Sequence, residues 1–98
     1  MKRFVLTKPA ERDIDHIKSF LIEKAGPTIA RRVMKDIRSA LDLLGNDPGT
    51  GHVREDLTSH PVKFRPVYSY LILYGPETKP VQIMRILHGM RDVEEILN

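Results

Sequence analysis

The sequence predicts an α+β fold in the order β-α-α-β-β-β(-α), with a helix hairpin packed on one face of a mainly antiparallel sheet. Three observations lead there. Apolar residues recur at helical spacing between Ala10 and Leu44 and at strand spacing between Val62 and His88. A Gly26-Pro27 step divides the helical part in two. The loop GNDPGTG, Gly45–Gly51, separates the helical half from the strand half. The 98 residues suit one small domain with one core.

The elements follow in order. Arg3–Thr7 (RFVLT) is short, β-branched and aromatic, and reads as a first strand. Pro9 suits the first turn of a helix, where its missing N–H is harmless. Ala10, Ile14, Ile17 and Leu21 then form one helical face, and Gly26 ends the helix. The second helix carries the stripe Ala30, Val33, Ile37, Leu41 and Leu44, with Ala40 beside it. Arg31, Arg32, Lys35, Arg38 and Asp42 face away from that stripe or flank it. After the loop, Val62–Arg65 is a short strand that Pro66 is expected to end. Tyr68–Tyr74 (YSYLILY) is apolar on both faces, which predicts a central strand with Tyr68, Tyr70, Ile72 and Tyr74 on one side. Val81–His88 is the last strand. Gly89 suits a positive-φ turn, and Asp92 with Glu95 reads as a cap opening a final helix.

Composition narrows the function. The chain is 41% hydrophobic and 30% charged, which is ordinary globular usage and argues against a disordered chain. No apolar run approaches the roughly 18 residues that span a bilayer. The N-terminal MKRFVLTKPAERD turns charged too soon for a signal peptide. A cytoplasmic protein without membrane contact is expected. There is no cysteine, and His16, His52 and His60 lack ligand spacing, so neither metal nor cofactor is expected. The net charge of +3 comes from residues 1–51, which hold 10 basic and 7 acidic side chains. That bias is too mild for a dedicated nucleic-acid binder and suits an acidic protein partner equally well. GNDPGTG follows a helix and lacks the Gly-Lys-Ser/Thr ending, so it is not a phosphate-binding P-loop.

The blocks PAERDIDHI, ARRVMKDIRSALDLLGNDPGTG, YSYLILY and VQIMRILHGMRD, in this order, make the chain resemble the ParE-like toxins of the ParE/RelE toxin–antitoxin superfamily, described also as plasmid stabilisation proteins. The final block carries most of the likeness: an arginine in the last strand, apolar residues, His-Gly, then Arg-Asp. The resemblance implies a toxin neutralised by a cognate ParD-like antitoxin, which lays a helix and an extended segment over the surface. ParE-like members poison DNA gyrase. RelE-like members enter the ribosome and cut mRNA. A third possibility is a remnant that binds antitoxin without being toxic.

These activities ask different things of the residues. RNA cleavage by the 2′-hydroxyl needs a base, a cation for the phosphorane and an acid for the leaving oxygen. The candidates are Arg65, Arg85 and His88, with Glu55 or Lys63 as a further proton-transfer group. Arg85 and His88 are three apart on a strand, so they share a site only if a bulge re-aims one of them. The acidic tail DVEEILN suits an RNA backbone poorly. A gyrase poison needs only a surface, and Arg85, His88 and Arg91 are its expected target contacts. Arg85 is expected on the same face as Ile83 and Leu87, either as that contact or in a salt bridge with Glu55 or Asp56. His88 could equally be a hydrogen-bonded residue at the sheet edge, and Arg91 could pair with Asp92 or Glu95. Arg31, Arg32, Lys35 and Arg38 are either a solvated helix face or the docking stripe for an acidic antitoxin. The tyrosines could stack on nucleic acid but at this spacing read as core.

Overall fold

Thr7 shows how the first strand hands over to the first helix. Its extended backbone puts Oγ1 where it accepts the Ala10 N–H at 3.2 Å, capping helix α1, Lys8–Ala25. The same hydroxyl donates to the Met84 carbonyl at 2.8 Å, tying the helix start to the last strand. Helix α2, Pro27–Asn46, follows after the single residue Gly26. The computed structural model describes residues 3–53, 62–76 and 79–89. Among them lie strands β1 (Phe4–Leu6), β2 (Lys63–Val67), β3 (Tyr70–Gly75) and β4 (Val81–His88).

The four strands form one sheet in the order β1-β4-β3-β2. β2–β3 and β3–β4 are antiparallel, while β1 runs parallel to β4. The apolar stripes of both helices meet Tyr70, Ile72, Tyr74, Val81, Ile83 and Ile86 on one face of the sheet. Ile37, Leu41, Leu44, Ile72, Tyr74 and Ile83 are fully buried there. Each such aliphatic side chain contributes about 1.5–3 kcal/mol by leaving water. Val62, Phe64, Leu73 and Leu87 form a second cluster on the opposite face. The α+β architecture expected from periodicity is therefore present, with β3 and β4 as the inner strands.

Several boundaries differ from the sequence reading, each for a local reason. α2 runs through Gly45 to Asn46. A Cβ on Gly45 would lie 2.9 Å from the Cβ of Arg3, so glycine is there for close passage of β1 rather than to stop the helix. Pro66 lies inside β2 instead of ending it. β2 is an edge strand, and a residue without an N–H is tolerated where no neighbour needs one. Tyr68 sits in the turn before β3 with φ 56° and is 60% exposed, so it does not share the face of Tyr70, Ile72 and Tyr74. Gly89 has φ 84°, as its place after the strand suggests.

The GNDPGTG segment is pinned from below. The buried Tyr74 hydroxyl donates to the Pro48 carbonyl at 2.7 Å and accepts the Gly51 N–H at 2.9 Å. A Cβ on Gly51 would fall 2.1 Å from that hydroxyl, so only glycine lets the loop close over the ring. Burial pushes the Tyr74 phenol above its usual pKa.

Candidate functional site

The end of β4 is shaped by one extra residue. Tyr74 pairs with Ile83 and Leu73 with Arg85, which leaves Met84 unmatched and shifts the register. Ile83 therefore faces the helices while Leu87 belongs to the opposite cluster. Arg85 does not share one face with both, as strict alternation predicts. Beyond the short β1, the outer edge of β4 meets α1. There Asp13 accepts the Ile86 N–H at 3.0 Å and grips Arg85 twice, Nε at 2.7 Å and Nη2 at 2.9 Å. The bidentate pair is part-buried, its side chains 27% and 14% exposed. The hydrogen bond to Asp13 raises the Arg85 pKa further. The salt bridge considered for Arg85 is thus made with Asp13; Glu55 and Asp56 lie outside the described residues.

Arg85 and His88 do come together. β4 is regular from Arg85 to His88, so it is the edge beside α1, not a bulge between them, that lets both line one concavity of about 560 Å³, with Pro9, Arg12, Asp13 and His16 on its α1 side. His88 is exposed, and its Nε2 lies 2.9 Å from Ser69 Oγ. Its ring centroid is 5.0 Å from that of Tyr70. Arg65 does not join them. It sits on β2 opposite Ile72, with β3 between it and β4, and its buried Nε has no hydrogen-bond partner. Lys63 is likewise on β2. Arg91, Asp92 and the expected last helix lie outside the described residues, as does His60.

A second concavity, of about 640 Å³, opens between the helices and β1. Its floor is Phe4, Leu6, Ile14, Ala30, Met34, Ile37 and Leu41. Lys18, Arg31 and Arg38 stand at its rim with Asp15, and the Arg38 guanidinium carbon lies 6.0 Å from the centre of the Phe4 ring. The basic run of α2 is thereby divided. Arg31 and Arg38 border this groove, whereas Arg32 and Lys35 are exposed outside its lining. On the far side of α2, the Tyr68 hydroxyl donates to Asp36, which raises the phenol's pKa, while nearby Arg32 lowers it.

The two sheet edges differ. On β2 the Phe64 N–H and carbonyl both bond to His52, each at 2.8 Å, and Pro66 offers no N–H. On β1 the Arg3 carbonyl accepts from Val81 and the Thr7 N–H donates to Ile83, both at 3.1 Å. Parallel pairing then directs the main-chain groups of Phe4 and Leu6 away from β4. A further groove of about 550 Å³ follows this edge past Arg3, Val5, Glu11, Arg38 and Asp42. Sequence reasoning missed Asp13, Arg12 and His16, and also the groove floor contributed by Phe4 and Met34. An exposed apolar Ile22 beside the α1 stripe was the available hint of that groove.

Among the described residues, no three His, Asp or Glu side chains gather to hold a metal ion. No helix among them is long and apolar enough to cross a membrane. A helix hairpin on one face of a four-stranded mixed sheet defines a small α+β protein of the RelE/ParE-like fold. The family model for the ParE toxin of the type II toxin-antitoxin system, parDE, matches residues 4–93, and the chain belongs to that family. Among solved structures, it is similar to a chain of the chromosomal ParDE TA system from P. aeruginosa. The TM-score is 0.74 at 22% identity, covering 88% of this chain and 94% of that one. No match was found among curated proteins.

Proposed function

We propose that this ParE-family chain acts in the cytoplasm on DNA gyrase and is held inactive by a ParD-like antitoxin. The groove between the hairpin and β1 carries the antitoxin part of the reading. An apolar floor with Lys18, Arg31 and Arg38 at its rim suits an amphipathic helix with acidic flanks. The outward-facing main chain of β1 is the edge beside which an extended antitoxin segment would lie, because β2 already spends its Phe64 groups on His52. Arg32 and Lys35 extend the basic field that would draw an acidic tail towards the groove.

The target surface is the end of β4, with Arg85 and His88, and Arg91 is a further contact expected from the sequence. What favours a target-poisoning binder over an RNA-cutting enzyme is the separation of the candidate groups. Arg65 lies across β3 from Arg85 and His88, and Arg85 is bound by Asp13. A cation needed at a phosphorane would have to leave a bidentate partner first.

The experiment is gyrase supercoiling of relaxed plasmid, with and without the purified chain. Inhibition with accumulation of cleaved DNA, reversed by antitoxin, is the expected outcome. No effect from folded chain in large excess would remove gyrase as the target. Cleavage of ribosome-bound mRNA would then establish the endonuclease, and harmless expression without antitoxin would establish a remnant.

A further inference from the structure

We infer that the concavity bounded by Arg12, His16 and His88 is a receptor for an acidic side chain of the toxin's protein target, separate from the antitoxin groove. It rests on the reading of the end of β4 as the target surface, and adds two α1 residues to it.

Four observations carry the assignment. Arg12 and His16 are four apart on α1, so their side chains stand together on one flank of the helix. The antitoxin groove uses Ile14, Asp15, Lys18 and Ile22 on the other flank, and the two concavities share no lining residue. Asp13, the acidic residue in the concavity, has its carboxylate filled by Arg85 and the Ile86 N–H. An incoming carboxylate therefore meets a neutral pair, not a repelling charge. His88 is held in place by Ser69 and by the Tyr70 ring, so its ordering is complete before a partner arrives.

The chemistry fits one carboxylate better than a phosphate chain. Arg12 offers a planar fork of donors, His16 offers a ring N–H, and His88 offers Nδ1–H in the tautomer whose Nε2 accepts the Ser69 hydroxyl, while Pro9 and Leu87 give the base an apolar character. A nucleic-acid backbone needs a row of cations. Among the described residues that line the concavity, Arg12 is the lysine or arginine without an ion-pair partner, since Arg85 is paired.

The test compares the wild-type chain with Arg12→Glu, His88→Ala and the conservative Arg12→Lys, all checked for folding by circular dichroism. Binding to purified gyrase and to the ParD-like antitoxin is measured by biolayer interferometry, and growth arrest is scored in cells. Arg12→Glu and His88→Ala are expected to weaken gyrase binding roughly tenfold or more, with Arg12→Lys intermediate and antitoxin affinity unchanged in all three. Wild-type binding to gyrase with undiminished binding by Arg12→Glu overturns the receptor and leaves the gyrase reading standing. No wild-type binding to gyrase removes gyrase instead. The receptor then stands if Arg12→Glu abolishes growth arrest while keeping antitoxin, and falls if arrest persists or never occurs. Binding of a fluorescent DNA duplex that Arg12→Glu abolishes would reassign the site to nucleic acid and overturn the proposal.

Discussion

On one flank of α1, Ile14, Lys18 and Ile22 look across an apolar trough to Met34 and Arg38. On the other, Asp13 is locked to Arg85 and to the Ile86 N–H, with Arg12, His16 and His88 around the lock. One flank leaves apolar surface unfilled and keeps its cations at the rim. The other fills its polar valences internally and exposes what remains. The contrast comes from the length of β1. Three residues cover the start of β4, so the edge beyond Ile83 is satisfied by α1 and its cap, through the Thr7 hydroxyl and the Asp13 carboxylate. A flank used to close a sheet edge ties stability to the residues around the lock, and a flank lined by unfilled apolar surface leaves stability largely free of its partner contacts.

The sharpest way to break that contrast is Asp13→Ala. It leaves Arg85 without its bidentate partner and the Ile86 N–H without an acceptor. Losing charge-assisted hydrogen bonds in a part-buried site is expected to cost about 2–3 kcal/mol, read as a lower urea midpoint with unchanged slope. Arg85→Met combined with Asp13→Ala should cost less than the sum of the single changes, because the second removes a charge the first has orphaned. Equal stability of Asp13→Ala and wild type would show that the pair does not close this edge. Loss of toxicity in Arg85→Ala must therefore be judged together with its stability, since the side chain both lines the concavity proposed to meet the target and holds α1.

The opposite flank should behave in the opposite way. Arg31→Glu with Arg38→Glu is expected to cost no more than about 1 kcal/mol of stability, the scale of an exposed contact such as that of Arg38 over Phe4. It should weaken antitoxin binding by roughly 10–100-fold, mostly through slower association that wild type also shows when salt is raised. Unaltered association in stopped-flow mixing would detach the antitoxin from this groove.

A pH titration distinguishes the fold's buried phenols from its ion pair. Burial raises the folded-state pKa of Tyr70 and Tyr74, and Tyr74 keeps the raised value although the Gly51 contact opposes it. The folded state then holds the phenol proton more tightly than the unfolded chain. This stabilising contribution is complete below the unfolded value of 10.0 and is lost as pH rises through the folded values. The hydrogen bond to Asp13 also raises the Arg85 pKa, so its pair should persist through the range where the tyrosines fail. Thermal melts from pH 9 upward should show a declining midpoint, and Tyr74→Phe should flatten part of that decline. A decline equally steep in Tyr74→Phe would assign it elsewhere.

Much of the fold was legible because its elements carry clean periods. The stripes on α1 and α2 and the two-faced apolar β3 each have one packing solution, and together they give the α+β architecture. The site was less legible for a specific reason. The extra residue at Met84 has no sequence mark, since MRIL reads as an unbroken strand, and without it Arg85 is placed on one face with both Ile83 and Leu87, which lie on opposite faces. Asp13 could not be matched to Arg85 because the two are 72 residues apart, and periodicity reports only neighbours. Pro66 and Gly45 were misread by rules that hold inside elements. One lies on an edge, and the other lies where a second backbone passes.

The smallest effect is expected from Lys35, which separates two readings of the basic stripe. Sequence alone places Arg31, Arg32, Lys35 and Arg38 together as antitoxin contacts. In the structure Arg31 and Arg38 border the groove, while Lys35 is exposed and outside its lining. If affinity came from total positive charge on α2, Lys35→Ala and Arg38→Ala would weaken antitoxin alike. If it comes from the groove, Arg38→Ala should lose both the rim charge and its packing over Phe4, while Lys35→Ala changes binding by less than about twofold, the scale of an exposed charge outside a contact. Side-by-side titrations at low and physiological salt decide it. A loss for Lys35→Ala matching that for Arg38→Ala would mean that the antitoxin reads the field of the helix, and that the trough beneath Arg38 is not where its affinity resides.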